Sequence, residues 1–536
     1  MAMPARDLDT ILFTLDNSSP YTVRDACQGT LILGGVGSGK TSGSGATIAA
    51  SFLKAGMGGL VLCAKPEEAD LWRGYCAKFD RSGSLIECDG TNIHLNMMAY
   101  ELARQGGDGL NSVVELLMRV LEIARNASPS PGRAGEHFWD DTLRQILRNA
   151  IPVLFAATGT VRISDLLRFV RSAPSSPSEM ADPEWQKQSY FFHVFLMAAE
   201  RLRAGPVVGF DDHAGERATS YWQNDYAKLD PKTRASVQLS LTTALDRFNH
   251  GWLEQMFCTT TDIVPELCAH GVILLLNMPA LTKNEDGIIA QQIVKYLWQR
   301  AMLARNALEQ PHQQRPTFLW ADEVQYFVNS YDAEFLSTCR GSRICTVFLS
   351  QSLPTFYAKI GGENAHDRTH HLLGNFGTKV FHNPGGCSET ADWAARILGK
   401  SIQWRRNESQ SQGSSSQFGH NMGENSSWGT NSSSGGSSSH NSGPGGSSYG
   451  GGSSWSSGSS RGGGDQWGRN RSSGSNHSQS WGGSEVSDWL VEPGQFSRML
   501  KTGGPPNGNI VSAVWYQAGR IFPASGGNAL LVEFRQ

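Results

Sequence analysis

The stretch TLILGGVGSGKTSGSG, Thr30–Gly45, decides the reading of this chain. An apolar run breaks into glycines, passes through Gly-Lys-Thr and continues in small residues. Gly34–Thr41 fits the pattern G-x-x-x-x-G-K-[ST] between a strand-like run and a helix start, the setting of a phosphate-binding loop. Such a loop turns successive backbone N–H groups towards one concavity, which requires residues free to take positive φ; Gly34, Gly35, Gly37 and Gly39 supply them. The predicted cradle is Gly34, Gly35, Val36, Gly37, Ser38, Gly39, Lys40, Thr41 and Ser42. Lys40 is placed to reach the β- and γ-phosphates of a nucleotide, and the Thr41 hydroxyl to ligate Mg²⁺. The N-terminus of the following helix adds partial positive charge.

Nucleotide hydrolysis also needs an acid on a neighbouring strand. TFLWADE, Thr317–Glu323, ends a buried run in Asp322 and Glu323, so Asp322 is the expected metal ligand and Glu323 the residue that polarises the attacking water. A third run, CTVFLSQS from Cys345, delivers Gln351 to the same edge as a sensor of the γ-phosphate. Just upstream, Arg340 and Arg343 are positioned to face the γ-phosphate of a neighbouring subunit, which implies a ring.

Working outward, near-continuous Val/Ile/Leu runs recur at Thr30, Gly59, Ser84, Gly271, Thr317, Cys345 and Thr378. Runs without polar alternation are what a parallel sheet covered on both faces requires, so the fold class is α/β and doubly wound. From about Ala99 to His250 the periodicity is helical instead, as in LNSVVELLMRVLEIARNA, where apolar residues return every three or four positions. This predicts an inserted all-α domain. The segment from Asn407 to Glu485 is almost entirely Ser, Gly, Asn and Gln and lacks the aliphatic residues that offset ordering entropy, so it is expected to be disordered. The expected domain boundaries are therefore 1–98 and 251–406 for the two parts of the nucleotide-binding domain, 99–250 for the helical insert, 407–485 for the Ser/Gly insertion and 486–536 for a terminal β element.

The composition fits a folded protein of more than one unit: 536 residues, 39% hydrophobic and 18% charged. A formal net charge of −3 argues against a globally basic nucleic-acid binder, so any nucleic acid must meet a local basic surface. The nine cysteines are scattered with no Cys-x-x-Cys, which suggests neither zinc nor disulfides and points to a reducing, cytoplasmic compartment. The first twenty residues carry acids where a signal peptide has its apolar core.

Together these residues resemble the type IV secretion coupling proteins, the TraG/TraD-like DNA-transfer ATPases of bacterial conjugation. The likeness covers the phosphate loop, Phe138 and Trp139 opening a helix, the WADE acids, an arginine followed by the strand ending in Gln351, NFGTKVFHNPGGCSETADWAARILG from Asn375, and the closing PGQFSRMLKTGG and NIVSAVWYQAGRIF. The resemblance implies a RecA-like motor domain with an inserted all-α domain, ATP and Mg²⁺ as cofactors, and a homohexameric ring whose channel carries DNA. The expected DNA is single-stranded and relaxase-bound, and the ring hands it to the type IV secretion machinery. It also implies that Arg340, rather than Arg343, is the trans arginine. Family members usually begin with transmembrane helices, whereas here the phosphate loop starts about thirty residues in. Membrane contact is thus expected only through partners, at the inner face of the bacterial membrane.

An adaptor that recruits protein substrates to a secretion channel, with nucleotide as a switch, is the alternative reading. A phosphate-loop kinase fits poorly beside the long helical insert and the Asp-Glu pair. Trp428, Trp455, Trp467 and Trp481 with Arg461, Arg469 and Arg471 have the makings of a base-stacking platform, but their surroundings read first as a flexible spacer. His366, His370 and His371 lack a third ligand and read as a solvated helix face, as do Lys228, Lys232 and Arg234.

Overall fold

The computed structural model describes residues 7–127, 136–207, 209–210, 213–307, 314–361, 364–421, 429–443, 446–460 and 468–536, with the backbone alone over 136–138 and 403–486. Two compact units emerge, residues 1–391 with 494–536, and residues 392–493.

The first unit is built on a nine-stranded sheet. A short hairpin of β1 (Ile11–Thr14) and β2 (Pro20–Thr22) precedes it. The sheet then contains β3 (Thr30–Leu33), β4 (Gly58–Leu62), β5 (Leu85–Cys88), β6 (Ile273–Leu276), β7 (Thr317–Ala321), β8 (Ile344–Ser350) and β9 (Thr378–Phe381). Two late strands, numbered here β14 (Ile510–Gln517) and β15 (Ala529–Arg535) because four strands of the second unit intervene, complete it. The order is β15-β14-β9-β3-β8-β7-β4-β6-β5, parallel from β9 to β5, with β14 and β15 added antiparallel at one edge.

The α/β reading of the apolar runs holds. Strands β3, β4, β6, β7, β8 and β9 are buried along their whole lengths, as strands covered on both faces must be. The chain crosses the sheet in one direction from β3 to β4 to β5 and in the other from β6 to β7 to β8 to β9. Right-handed crossovers therefore put the helices Ala46–Lys54 and Pro66–Lys78 on one face and Ala280–Ala304 with its successors on the other. Aromatic packing fastens the first face. Phe52 and Trp72 lie with ring centroids 5.6 and 5.5 Å from Phe318, and Trp72 meets Trp320 edge-on at 5.4 Å.

Between β5 and β6 the regular elements are mostly helices, including Met97–Gln105, Gly109–Ala127, Glu136–Thr158, Tyr190–Ala204 and Pro231–Asp246. Local signals set the helix starts: Ser189 accepts from the Phe192 N–H, and Asp230 caps a helix whose first residue is Pro231. Phe169, Phe191 and Trp222 are fully buried and mutually packed at 4.6 to 5.3 Å. Lys228 donates to Asn224 one turn away, and Arg234 to the Ser175 carbonyl. Among the described residues no single helix is long and apolar enough to cross a membrane.

In the second unit the described backbone has strand geometry over β10 (Lys400–Asn421), β11 (Gly429–Gly443), β12 (Gly446–Ser460) and β13 (Gly468–Trp489), in the order β10-β13-β12-β11. The tryptophans and arginines singled out in this segment lie outside the residues whose side chains are described.

Candidate functional site

Five neighbouring strands, β9, β3, β8, β7 and β4, bring their C-terminal ends to one edge of the sheet. In parallel α/β sheets this edge is where ligands bind. Leu33 runs into the glycine loop, Ser350 into Gln351, Ala321 into Asp322 and Glu323, Phe381 into His382, and Leu62 leads through Cys63 and Ala64 to Lys65.

The loop conformation follows from its glycines. Gly37 and Gly39 have φ of 71° and 81°, in the left-handed region. A Cβ on Gly39 would stand 2.5 Å from a Val511 methyl of β14, and one on Gly34 2.5 Å from the Ser38 hydroxyl. Neighbouring strands hold the loop base: the Gly34 N–H donates to the Ser350 carbonyl at 3.2 Å and the Gly35 N–H to Asn383 at 2.9 Å. Beneath it, the Ser44 hydroxyl and His382 Nε2 are 2.7 Å apart. Burial, helped by the nearby Lys40 ammonium, pushes the His382 imidazole down to about 3, so the ring is neutral.

The residues expected to meet the phosphates and metal converge. Thr41 Oγ1 donates to Asp322 Oδ2 at 2.7 Å, although 281 positions separate the two in sequence. Lys40 is 9% exposed, and its Nζ lies 3.9 Å from Glu323 Oε1. Glu323, 3% exposed, adopts a left-handed backbone (φ 47°) and accepts three hydrogen bonds of 2.9 Å, from Lys65 Nζ, Gln325 Nε2 and Gln351 Nε2. Burial alone would raise its pKa. The donors from Gln325, Gln351 and Lys65, with the Lys40 charge, overcome it and leave the carboxyl below its usual value. An adjoining cavity of about 450 Å³ is lined by Gly35, Gly37, Lys40, Thr41, Leu71 and Tyr75, among others.

Sequence reading missed three groups here. Lys65 stands where β4 gives way to the helix Pro66–Lys78, and Gln325 bridges Glu323 to the Ser350 hydroxyl. Glu68 accepts from the Ala64 N–H at 2.8 Å; burial, reinforced by Asp322, raises its carboxyl to about 8. The signal available for Lys65 was its position, a cation closing the apolar run that follows the phosphate-loop strand in sequence.

Arg340 is not at this edge. It lies in the turn Cys339–Ser342 before β8, exposed, a seven-residue strand or roughly 20 Å from Gln351, so it is remote from its own subunit's loop. Arg343 is buried and donates to the Gln314 carbonyl. His366 stacks on Tyr357 at 3.8 Å and His370 reaches the Tyr357 hydroxyl at 3.3 Å; among the described residues no cluster of three His, Cys, Asp or Glu side chains is arranged for a metal.

Comparison with known proteins agrees with this architecture. Residues 316–444 match the family model described as the TraM recognition site of TraD and TraG. The fold is similar to that of the bacterial conjugative coupling protein TrwBdeltaN70 in an unbound form, with 12% identity, a TM-score of 0.50, and coverage of 99% of this chain and 88% of that one. It is likewise similar to the plasmid coupling protein TrwB in complex with ADP and Mg²⁺, with 12% identity, a TM-score of 0.51, and coverage of 99% and 89%. No curated protein sequence matches. The family model thus covers the acid and sensor strands, and the fold is the one seen in the conjugative coupling protein structures.

Proposed function

We propose that the chain is an ATP-hydrolysing DNA translocase of the type IV secretion coupling class, working as a homohexamer. The observation that carries this is the meeting of Thr41 with Asp322 at 2.7 Å, beside Lys40, Glu323 and Gln351. Hard oxygen donors at that spacing suit Mg²⁺, and the glycine loop suits a triphosphate. Thr41 and Asp322 would hold the ion, which supplies charge neutralisation at the β- and γ-phosphates. Lys40 binds the same phosphates, Gln351 orients the γ-phosphate, and Glu323 takes the proton of the attacking water. Arg340, turned away from its own site, serves the adjacent protomer. TrwB's structure with ADP and Mg²⁺ supports the choice of nucleotide and ion.

A ring at the inner face of the membrane would pass single-stranded, relaxase-bound DNA to the secretion machinery. Electron microscopy of the protein with a non-hydrolysable ATP analogue and single-stranded DNA tests it. Six-membered rings with density in the hole are expected; monomers under those conditions would refute the assembly. The matched family model is described as a partner-recognition site, which favours a second reading, an adaptor that delivers proteins without pumping DNA. That reading predicts the same ATP turnover with and without DNA.

A further inference from the structure

Glu323 cannot offer Oε1, the oxygen 3.9 Å from Lys40 Nζ, to an attacking water in the arrangement seen. Its Oε1 accepts from both Lys65 Nζ and Gln351 Nε2 at 2.9 Å, which fills that oxygen's two lone-pair sites, and Gln325 Nε2 takes one on Oε2. With the carboxylate 3% exposed, Oε1 can orient a water only if Lys65 or Gln351 leaves it.

The three donors differ in how readily they can leave. Gln325 is itself gripped by the Ser350 hydroxyl at 2.8 Å, and Gln351 directly follows the last residue of a fully buried strand. The Lys65 side chain is half exposed, on a flexible four-carbon stem. Solvent or an arriving phosphate can take its ammonium, because half of the Lys65 side chain already faces water.

We propose that Lys65 is a latch: a positioning residue that holds Glu323 closed in the empty site and releases it when the site is loaded. It rests on the reading of Glu323 as the group that activates water. The latch immediately precedes the helix Pro66–Lys78, which also lines the nucleotide cavity through Leu71 and Tyr75, so displacement of that helix would move lock and cavity wall together.

The test is steady-state ATP turnover and fluorescent ATP-analogue binding for the wild type and the variants Lys65→Met, Lys65→Gln and Lys65→Arg. The neutral variants are expected to raise basal kcat about fivefold, the equivalent of about 1 kcal/mol. KM and analogue affinity should stay within twofold, and Lys65→Arg should restore the low basal rate. A purely structural role would lower kcat and would not be rescued selectively by charge. Unchanged or reduced kcat in both neutral variants, with wild-type turnover intact, overturns the latch alone. A wild type that binds the analogue but never hydrolyses ATP overturns the reading of Glu323, and the latch falls with it.

Discussion

Replacing Gly39 by alanine separates two ways in which the chain enforces its phosphate loop. The backbone there has φ of 81°, and adding a Cβ in the left-handed region costs about 1–2 kcal/mol. The same Cβ would lie 2.5 Å from one Val511 methyl and 2.9 Å from the other, and Val511 is fully buried, so overpacking adds about 1–3 kcal/mol. An empty loop can relax, but a loop cradling phosphates must return to this conformation, so the strain should be read as lost affinity. The expected fall in binding of a fluorescent ATP analogue is at least about thirtyfold, the equivalent of the minimum sum of about 2 kcal/mol. Removing the steric partner divides the effect: in a Val511→Ala background, Gly39→Ala should cost only the backbone term, about five- to thirtyfold. Fluorescence titrations of the four proteins measure this cycle. Equal losses in both backgrounds, or no loss in either, would refute the reasoning that β14 packs the loop into shape.

Two further outcomes concern stability. Lys295 and Asp332 are both fully buried and bonded to each other, with Gln299 and the Asn329 N–H completing the carboxylate's partners. Asp332→Ala strands a buried ammonium and should cost about 3–5 kcal/mol in urea unfolding, whereas Lys295→Met with Asp332→Leu should be near neutral; a mild single variant would contradict this. His382 titrates near 3 when folded, against 6.5 for a free imidazole, because burial and the Lys40 charge oppose protonation beside the Ser44 hydroxyl and the Ser512 backbone. Only the unfolded chain takes up this proton as pH falls below about 6.5, so stability is lost in that direction. The loss from pH 7 to pH 5 should be about 2 kcal/mol, and His382→Asn should remove it; an unaltered acid limb in the variant would rule the residue out.

The parallel strands were legible because a doubly covered strand writes its burial directly into the chain: TLIL, GLVL, TFLWA and TVFLS each read as uninterrupted apolar runs. Thr41 and Asp322 were legible as candidates because each ends or follows such a run, and strand ends in a parallel sheet share an edge. What escaped was set by packing between distant segments. Nothing in KPEEADLW says that the Lys65 ammonium will find Glu323, 258 positions away. Nor does NIVSAVW say that Val511 will press on Gly39, since β14 enters the sheet antiparallel from the far end of the chain.

The central claim is that the C-terminal edge of these five strands hydrolyses ATP in service of DNA movement. Turnover by the purified chain, with and without single-stranded DNA, in the wild type and in Glu323→Gln, tests it most directly. Hydrolysis stimulated by DNA is expected, together with a Glu323→Gln variant that binds the nucleotide yet turns over at least about a hundredfold more slowly. A Glu323→Gln protein as active as the wild type, or a wild-type rate indifferent to DNA, would contradict it.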